Sequence, residues 1–143
     1  MSSAIKAFDR AQDAYNLAKK EPVQQKVMIF VVPSKIKLGI VRTEVRFPYR
    51  GKIVDVYASC GIIGSGDTVL SVEKCIQENY DNLPSWNSIT DVTIEANEKS
   101  TRTSTVPFKL SDEKVNEGDH FRINVTDVGD GIEDITVEII VAI

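Results

Sequence analysis

The sequence predicts an all-β protein: an antiparallel, eight-stranded β-sandwich of the jelly-roll type, preceded by an N-terminal α-helix. Apolar and polar residues alternate in short runs from Gln25 onward, which is the period of a half-buried strand. These runs recur at the spacing of a sandwich or barrel, and the segments between them are too short for helical crossovers. We therefore expect an N-terminal helical arm over residues 1–24 and a jelly-roll β-sandwich domain over residues 25–143.

The N-terminal segment has the composition of a helix. Alanine recurs there at alternating spacings of three and four residues, which places the alanines on one helical face beside two aromatic residues. The stripe comprises Ala4, Ala7, Phe8, Ala11, Ala14, Tyr15 and Ala18. Gly and Pro are absent from residues 1–20, alanine has the highest helix propensity, and Pro22 ends the helix.

The alanine stripe has two interpretations. The helix could lie on the edge of its own domain, or it could pack on identical helices or dock on a larger assembly. A helix of this length is marginal by itself in water, and a helix before an all-β domain has no obvious place in a sandwich core. We therefore favour an attachment or oligomerisation arm, with the stripe as its assembly interface.

Eight strands follow in order. The first ends at Pro33, a turn at Pro48 to Gly51 ends the second, and a glycine-rich loop at 61–67 follows the third. The predicted strands are 26–32, 36–47 with a change of register, 52–58, 68–76, 92–96, 106–110, 120–126 and 134–143. Residues 77–91 form the longest irregular segment, and the hydroxyl-rich residues 100–105 have the character of an exposed strand that could pair at an interface.

The last quarter of the chain has the clearest alternation. One face of its first run carries Phe121, Ile123 and Val125, and one face of its second carries Ile135, Val137, Ile139, Val141 and Ile143. A loop rich in Gly and Asp joins the two runs, so we expect a β-hairpin whose apolar side is covered by a second sheet. Ile140 and Ala142 lie on the opposite face, which suggests coverage by a neighbouring subunit or by the N-terminal arm.

Composition limits the classes of function. The net charge of −4 argues against a nucleic-acid-binding face, and no apolar run is long enough to span a bilayer. The N-terminus lacks the apolar core of a secretory signal, so we expect synthesis in a cytoplasm. Cys60 and Cys75 could pair if their strands are neighbours, but a cytoplasmic protein favours two reduced thiols. With one His and no paired Cys motif, we expect no metal or other cofactor.

Three groups of residues are candidate sites. Tyr80 and Trp86 lie in a polar segment with several Asn residues, where they could stack on a sugar ring, although Trp86 could instead anchor its own loop. His120 lacks a nucleophile at motif spacing and is expected on the surface, so no catalytic residue is assigned. Acidic residues at 127, 130, 133 and 134 could bind Ca²⁺, but Asp is also a common turn residue and their spacing matches no calcium loop.

These elements resemble a small jelly-roll module of bacteriophage virion proteins over roughly residues 38–143. The first half has Gly51-Lys52-Ile53 leading to Val56, a Gly-rich loop, and Asp67 leading to Val72. The second half has Gly118-Asp119, Val125, Val128-Gly129 and Asp134-Ile135-Thr136-Val137.

The resemblance implies a structural protein of the phage particle. Members of this family occur in head fibres, capsid decorations, tail fibres and baseplate appendages, commonly as trimers, and they share no catalytic residues. We therefore expect a virion protein without enzymatic activity that associates with itself and with capsid, tail or baseplate proteins. The alternative is a receptor-binding module that recognises host-surface carbohydrate through Tyr80 and Trp86.

Overall fold

The computed structural model describes residues 24–143, which are mostly antiparallel β-strand, so the all-β prediction is confirmed. In chain order the elements are β1 (Gln25–Lys35), β2 (Gly39–Ile40), β3 (Val45–Arg46), β4 (Gly51–Ile62), β5 (Thr68–Cys75), α1 (Gln77–Tyr80), β6 (Asn87–Ile94), a 3₁₀ turn (Thr101–Thr103), β7 (Lys114–Val115), β8 (His120–Asp127) and β9 (Glu133–Ala142). The predicted N-terminal helix and its alanine stripe lie outside the described residues.

The strands form two antiparallel sheets. The first sheet has the order β1-β9-β4-β7, and the second has the order β2-β8-β5-β6 with β3 also paired to β8. The long central pairs are β9 with β1 and β4 in the first sheet, and β5 with β6 and β8 in the second. At the edges, β2 and β7 are dipeptides, whereas β6 has eight residues and β1 has eleven.

One hydrophobic core joins the two sheets. Alternate residues of each long strand point inward, as the sequence period requires, and most are almost completely buried. The largest of these side chains are Phe30, Phe121, Ile53, Leu70, Ile94, Ile123, Ile135 and Ile139. The predicted inward faces of β8 and β9 are confirmed, and Cys60 and Cys75 are buried free thiols, as expected.

The predicted hairpin between the last two strands is wrong. β8 pairs with β2, β3 and β5, whereas β9 pairs with β1 and β4, so the loop between them crosses from one sheet to the other. Each strand therefore covers the other across the core, and the alternating apolar residues face each other between the layers. Alternation reports which face is buried, but it carries no information about which strand lies alongside.

Glycines in two loops permit this crossing. The loop at 63–67 and the loop at 128–132 touch backbone to backbone, with Ser65 donating its N–H to the Asp130 carbonyl at 2.8 Å. A Cβ on Gly129 would lie 2.1 Å from the Gly66 carbonyl oxygen, so only glycine fits there. The amide of Gly129 is bonded to the buried hydroxyl of Thr68 at 2.9 Å, which fixes the loop against β5.

One predicted strand, at residues 36–47, is interrupted. Residues 36–47 form two short strands against β8, the dipeptides β2 and β3, and between them the Val41 amide donates to the Ile123 carbonyl at 2.8 Å. The apolar positions Leu38 and Ile40 are exposed, so their alternation does not mark a buried face. The structure thus has nine strands among its described residues, where eight were predicted.

Residues 97–113 also differ from the prediction. Residues 106–110 are not a strand, and the expected exposed strand at 100–105 is a 3₁₀ turn capped by the Ser100 side chain. The hydroxyl of Thr101 accepts a hydrogen bond from the Ala58 amide at 3.1 Å. The backbone carbonyl of Lys99 accepts one from the Cys60 amide at 2.9 Å. The Thr101 hydroxyl and the Lys99 carbonyl therefore satisfy amides of β4 within the chain, and residues 100–105 form no interface strand.

A nearly buried ammonium group holds the start of β7. Lys74 on β5 donates to Asp112 and, at 2.9 Å, to the carbonyl of Lys114, and it lies 3.9 Å from the Asp119 carboxylate. Although burial acts in the opposite direction, the hydrogen bond and charge of Lys74 hold the pKa of Asp112 below its usual value.

Candidate functional site

The candidate site lies on the outer face of the second sheet, where α1 and the segment after it return across β8. Asn79 and Tyr80 donate their N–H groups to the carbonyl of Ile76, so a single helical turn reverses the chain directly after β5. Residues three apart share a helix face, which places Gln77 and Tyr80 together over the sheet. We call Tyr80, Trp86, His120 and Arg122 the aromatic cluster.

His120 lies beneath this turn. Its ring stacks on Tyr80 with 3.5 Å between centroids and 3° between planes, and its Nε2 is 2.8 Å from Oε1 of Gln77. Only 6% of His120 is exposed, so the prediction of a surface residue is wrong. Period-2 alternation placed His120 correctly on the outward face of β8, but it could not indicate that α1 covers that position.

Burial and charge both act on this imidazole. Burial lowers the pKa of His120, because it disfavours the charged form, and the positive charge of Arg46 lowers it further. The carboxylates of Glu44, Asp81 and Asp119 act in the opposite direction without reversing the shift. Oε1 of Gln77 can only accept, so Nε2 of His120 donates in this hydrogen bond.

Trp86 is held by a cation and by the edge of Tyr80. The Tyr80 and Trp86 rings meet edge to face with 6.2 Å between centroids, and the Arg122 guanidinium lies 4.2 Å from the Trp86 centroid. Arg122 is fixed in turn by Glu73, at 2.7 Å from Nε to the carboxylate. Sheet pairing explains this contact, because Glu73 on β5 lies directly opposite Arg122 on β8.

The polar groups around the cluster are also paired with one another. Gln77 accepts from Nε of Arg46 at 3.1 Å and donates to Asp81 at 3.0 Å. The Tyr80 hydroxyl donates to Glu44, and this hydrogen bond raises the pKa of the phenol. The network therefore joins α1, β3 and β8, and it orders the segment that the sequence left irregular.

The structure brings the two predicted glycan contacts together but uses them internally. One face of Tyr80 lies on His120, and one face of Trp86 lies under Arg122. A sugar ring would have to stack on the opposite face of either ring. The anchoring role considered for Trp86 is thus present, through its contacts with Arg122 and Tyr80.

The outer face of the first sheet is different, because its edge strand β1 carries an exposed apolar row beside Thr136 and Glu138 of β9, and no described residue covers that row. Val27, Ile29 and Val31 on β1 are 48%, 55% and 60% exposed, whereas Met28 and Phe30 between them are 4% and 0% exposed. We call the three exposed residues the β1 stripe. Ile140 of β9 lies beside Val27 on this outer face, as its predicted outward position requires, and it is half-buried.

The acidic loop has a structural role at one position. The carboxylate of Asp134, at a positive φ of 58°, accepts a hydrogen bond from the Ser34 amide at 2.7 Å. Across residues 24–143, no three His, Cys, Asp or Glu side chains converge as a metal site. In the same range, no helix has the length and apolar character needed to cross a membrane.

Comparison with known proteins leaves these two surfaces as the main guide to function. No protein-family model matches the sequence, and no curated protein matches it significantly.

Proposed function

We propose that the chain is a non-enzymatic structural component of a bacteriophage particle. In this proposal it is a trimeric fibre, spike or decoration protein whose jelly-roll domain projects from the virion and whose N-terminal helix, through the alanine stripe, attaches or trimerises it. The partners are other copies of the chain and a capsid, tail or baseplate protein, and the location is the virion.

The nested order of strand pairing carries this proposal. When β2 and β3 are counted as one strand, the first strand pairs with the eighth, the second with the seventh, the third with the sixth and the fourth with the fifth. Such nesting is characteristic of a jelly roll, the double-sheet fold common in viral capsid proteins. It supports the resemblance to phage modules noted in the sequence.

The residues that carry the resemblance have structural roles consistent with a shared fold. Gly118 has a φ of +88°, and the Asp119 carboxylate accepts a hydrogen bond from the Asn116 amide at 2.8 Å. Gly129 is required by the contact between loops, and Val125 and Val137 are core residues. These positions therefore support a shared fold, and the proposal assigns attachment to other parts of the chain.

Light scattering and particle binding test the proposal. The intact protein and a truncated chain beginning at Gln24 are compared for mass in solution and for binding to virions that lack the protein. We expect the intact chain to be a trimer that binds particles and the truncated chain to lose both properties. An intact chain that is monomeric and does not bind particles would contradict the proposal.

A carbohydrate-binding module is the second candidate, and the proximity of Tyr80 and Trp86 favours it. A glycan array would compare the wild type with Trp86→Ala and with Leu83→Ala, a control in the same segment at a side chain that is 85% exposed. Binding that is lost only with Trp86→Ala supports recognition of host-surface sugars. A signal that both variants retain would remove the aromatic cluster as the binding site.

A further inference from the structure

We propose that β1 is a two-fold contact through which two copies of this chain pair edge to edge. This contact is distinct from the assembly assigned to the N-terminal segment, and it does not depend on where the protein functions. The first sheet would continue across the contact from β1 of one copy to β1 of the other, in antiparallel orientation.

The backbone of β1 has hydrogen-bonding groups on its free side. The carbonyl of Gln24 accepts from the Ile143 amide at 2.9 Å, so residues with even numbers direct their N–H and C=O groups toward the β9 side. By alternation, Gln25, Val27, Ile29 and Val31 direct theirs away from β9. β1 is the terminal strand of its sheet in the order found for residues 24–143, so this row lies at an open edge.

The usual protection of an edge strand is missing from the middle of β1. Natural edges are blocked by charges, proline or bulges, because an unpaired strand is a template for another chain. Residues 27–34 carry no charge, and Pro33 and the irregularity before Lys35 come only at the end of the strand. The charged residue directly before this run is Lys26, and its ammonium lies 5.6 Å from the ring centroid of Tyr49.

The sequence of β1 matches itself in the antiparallel direction. In a register centred on Ile29, each Ile29 lies opposite its counterpart and each Val27 lies opposite Val31, so the β1 stripes of the two copies meet with apolar side chains throughout. Met28 lies opposite Phe30 on the core side. Pro33 lies opposite Gln25, where its missing N–H marks the end of the ladder.

Because β1 is complementary to itself, we assign a second copy of the chain as the partner at this edge. The residues that point outward are also those whose backbone groups face the open edge, so one register satisfies both the hydrogen bonds and the apolar pairs.

Cysteine cross-linking of the full-length chain tests the register. The native thiols of Cys60 and Cys75 are 4% and 1% exposed, so a new surface thiol is the reactive group. We expect mild oxidation to convert Ile29→Cys into a covalent dimer, and Leu83→Cys, as the matched control, to remain largely uncrosslinked. Equal cross-linking of the two variants would overturn the proposal.

Mixed cross-linking then distinguishes an antiparallel register from other arrangements. A mixture of Val27→Cys and Val31→Cys chains should form disulfide dimers more readily than either variant alone, because the register places position 27 opposite position 31. Dimers that form equally well in all three samples would exclude this register.

Sedimentation velocity measures the contribution of the edge to assembly. Ile29→Glu places two carboxylates opposite each other, and we expect the dissociation constant of the two-fold contact to rise by about tenfold or more. Ile63→Glu, at a side chain that is 41% exposed and distant in sequence from β1, should retain the wild-type mass. A wild-type chain without this association, or an Ile29→Glu variant of unchanged mass, would overturn the contact. Loss of virion binding with the contact intact would instead contradict only the proposed function.

Discussion

The outer faces of the two sheets differ in whether their side chains find partners within the chain. The second sheet carries charged and aromatic groups that are paired with one another: Arg122 with Glu73, His120 with Tyr80 and Gln77. The first sheet carries the β1 stripe, which is apolar and has no cover among the described residues. Polar character on a face is therefore a poor guide to an interaction surface here, because the polar face is satisfied within the chain.

Substitutions on the two faces should therefore change different properties, namely the stability of the single chain and its association. Substitution on the second sheet should leave a nearly buried charge or ring without its partner, so it should lower the stability of the single chain. Substitution in the β1 stripe removes side chains that are already about half exposed, so its effect should fall on association instead. Four variants test this contrast, in order of decreasing effect on stability.

Arg122→Ala should have the largest effect. The Arg122 and Glu73 side chains are only 16% and 13% exposed, so removal of the guanidinium leaves a largely desolvated carboxylate. It also removes the cation from the Trp86 ring. We expect a loss of about 2–4 kcal/mol in the free energy of unfolding, measured by urea denaturation.

The double variant Glu73→Gln with Arg122→Gln is the control for the unpaired carboxylate of Glu73. It should be more stable than Arg122→Ala, because neither position then leaves an unpaired charge. If the double variant is the less stable of the two, burial of an unpaired Glu73 is not the cause of the loss.

Trp86→Ala should have the next largest effect. Trp86 is partly buried and packs between Arg122 and the edge of Tyr80, so its removal should cost about 1–2 kcal/mol of unfolding free energy. Leu83→Ala, in the same segment, should remain within about 0.5 kcal/mol of the wild type. Equal losses from the two variants would mean that Trp86 does not anchor its segment.

His120 should make stability depend on pH. Because the pKa of His120 is lowered in the folded chain, the unfolded chain binds more protons between that pKa and the ordinary value of 6.5. Stability should therefore be complete above about pH 6.5 and decline as the pH falls through the folded pKa. Urea unfolding of the wild type and His120→Asn across this range measures the difference, which is smaller than the loss from Trp86→Ala.

The outcome for His120→Asn is specific to the imidazole. The variant should lose the part of the pH dependence between the folded pKa and 6.5, while acidic groups continue to act at lower pH. Identical pH profiles for the variant and the wild type would assign the dependence in this range to another group.

Sequence patterns predicted the layers of the fold better than its connections. Alternation identified the buried faces of β8 and β9 correctly, since apolar burial is a property of each strand alone. The partners of each strand depend on loops whose geometry is set by contacts distant in sequence, such as Gly129 against Gly66. The hairpin prediction failed for that reason.

The candidate site was predictable only in part. Trp86 and Tyr80 were selected as the aromatic pair of a polar segment, and the structure places them together. Arg122 and Glu73 were missed, because their contact depends on the pairing of β5 with β8 across 49 residues of chain. An outward Arg on a strand has the same local pattern whether it is solvated or stacked on a ring.

Ile29→Thr should have the smallest effect on the single chain and isolates the contribution of the β1 stripe. Thr retains β-branching, and more than half of Ile29 is exposed, so we expect a change within about 0.5 kcal/mol at low protein concentration. Because association stabilises only the folded state, the unfolding midpoint of the wild type should rise with protein concentration more steeply than that of Ile29→Thr. Parallel concentration dependences would show that the exposed stripe is not used for association, and the contrast between the two faces would then reduce to stability alone.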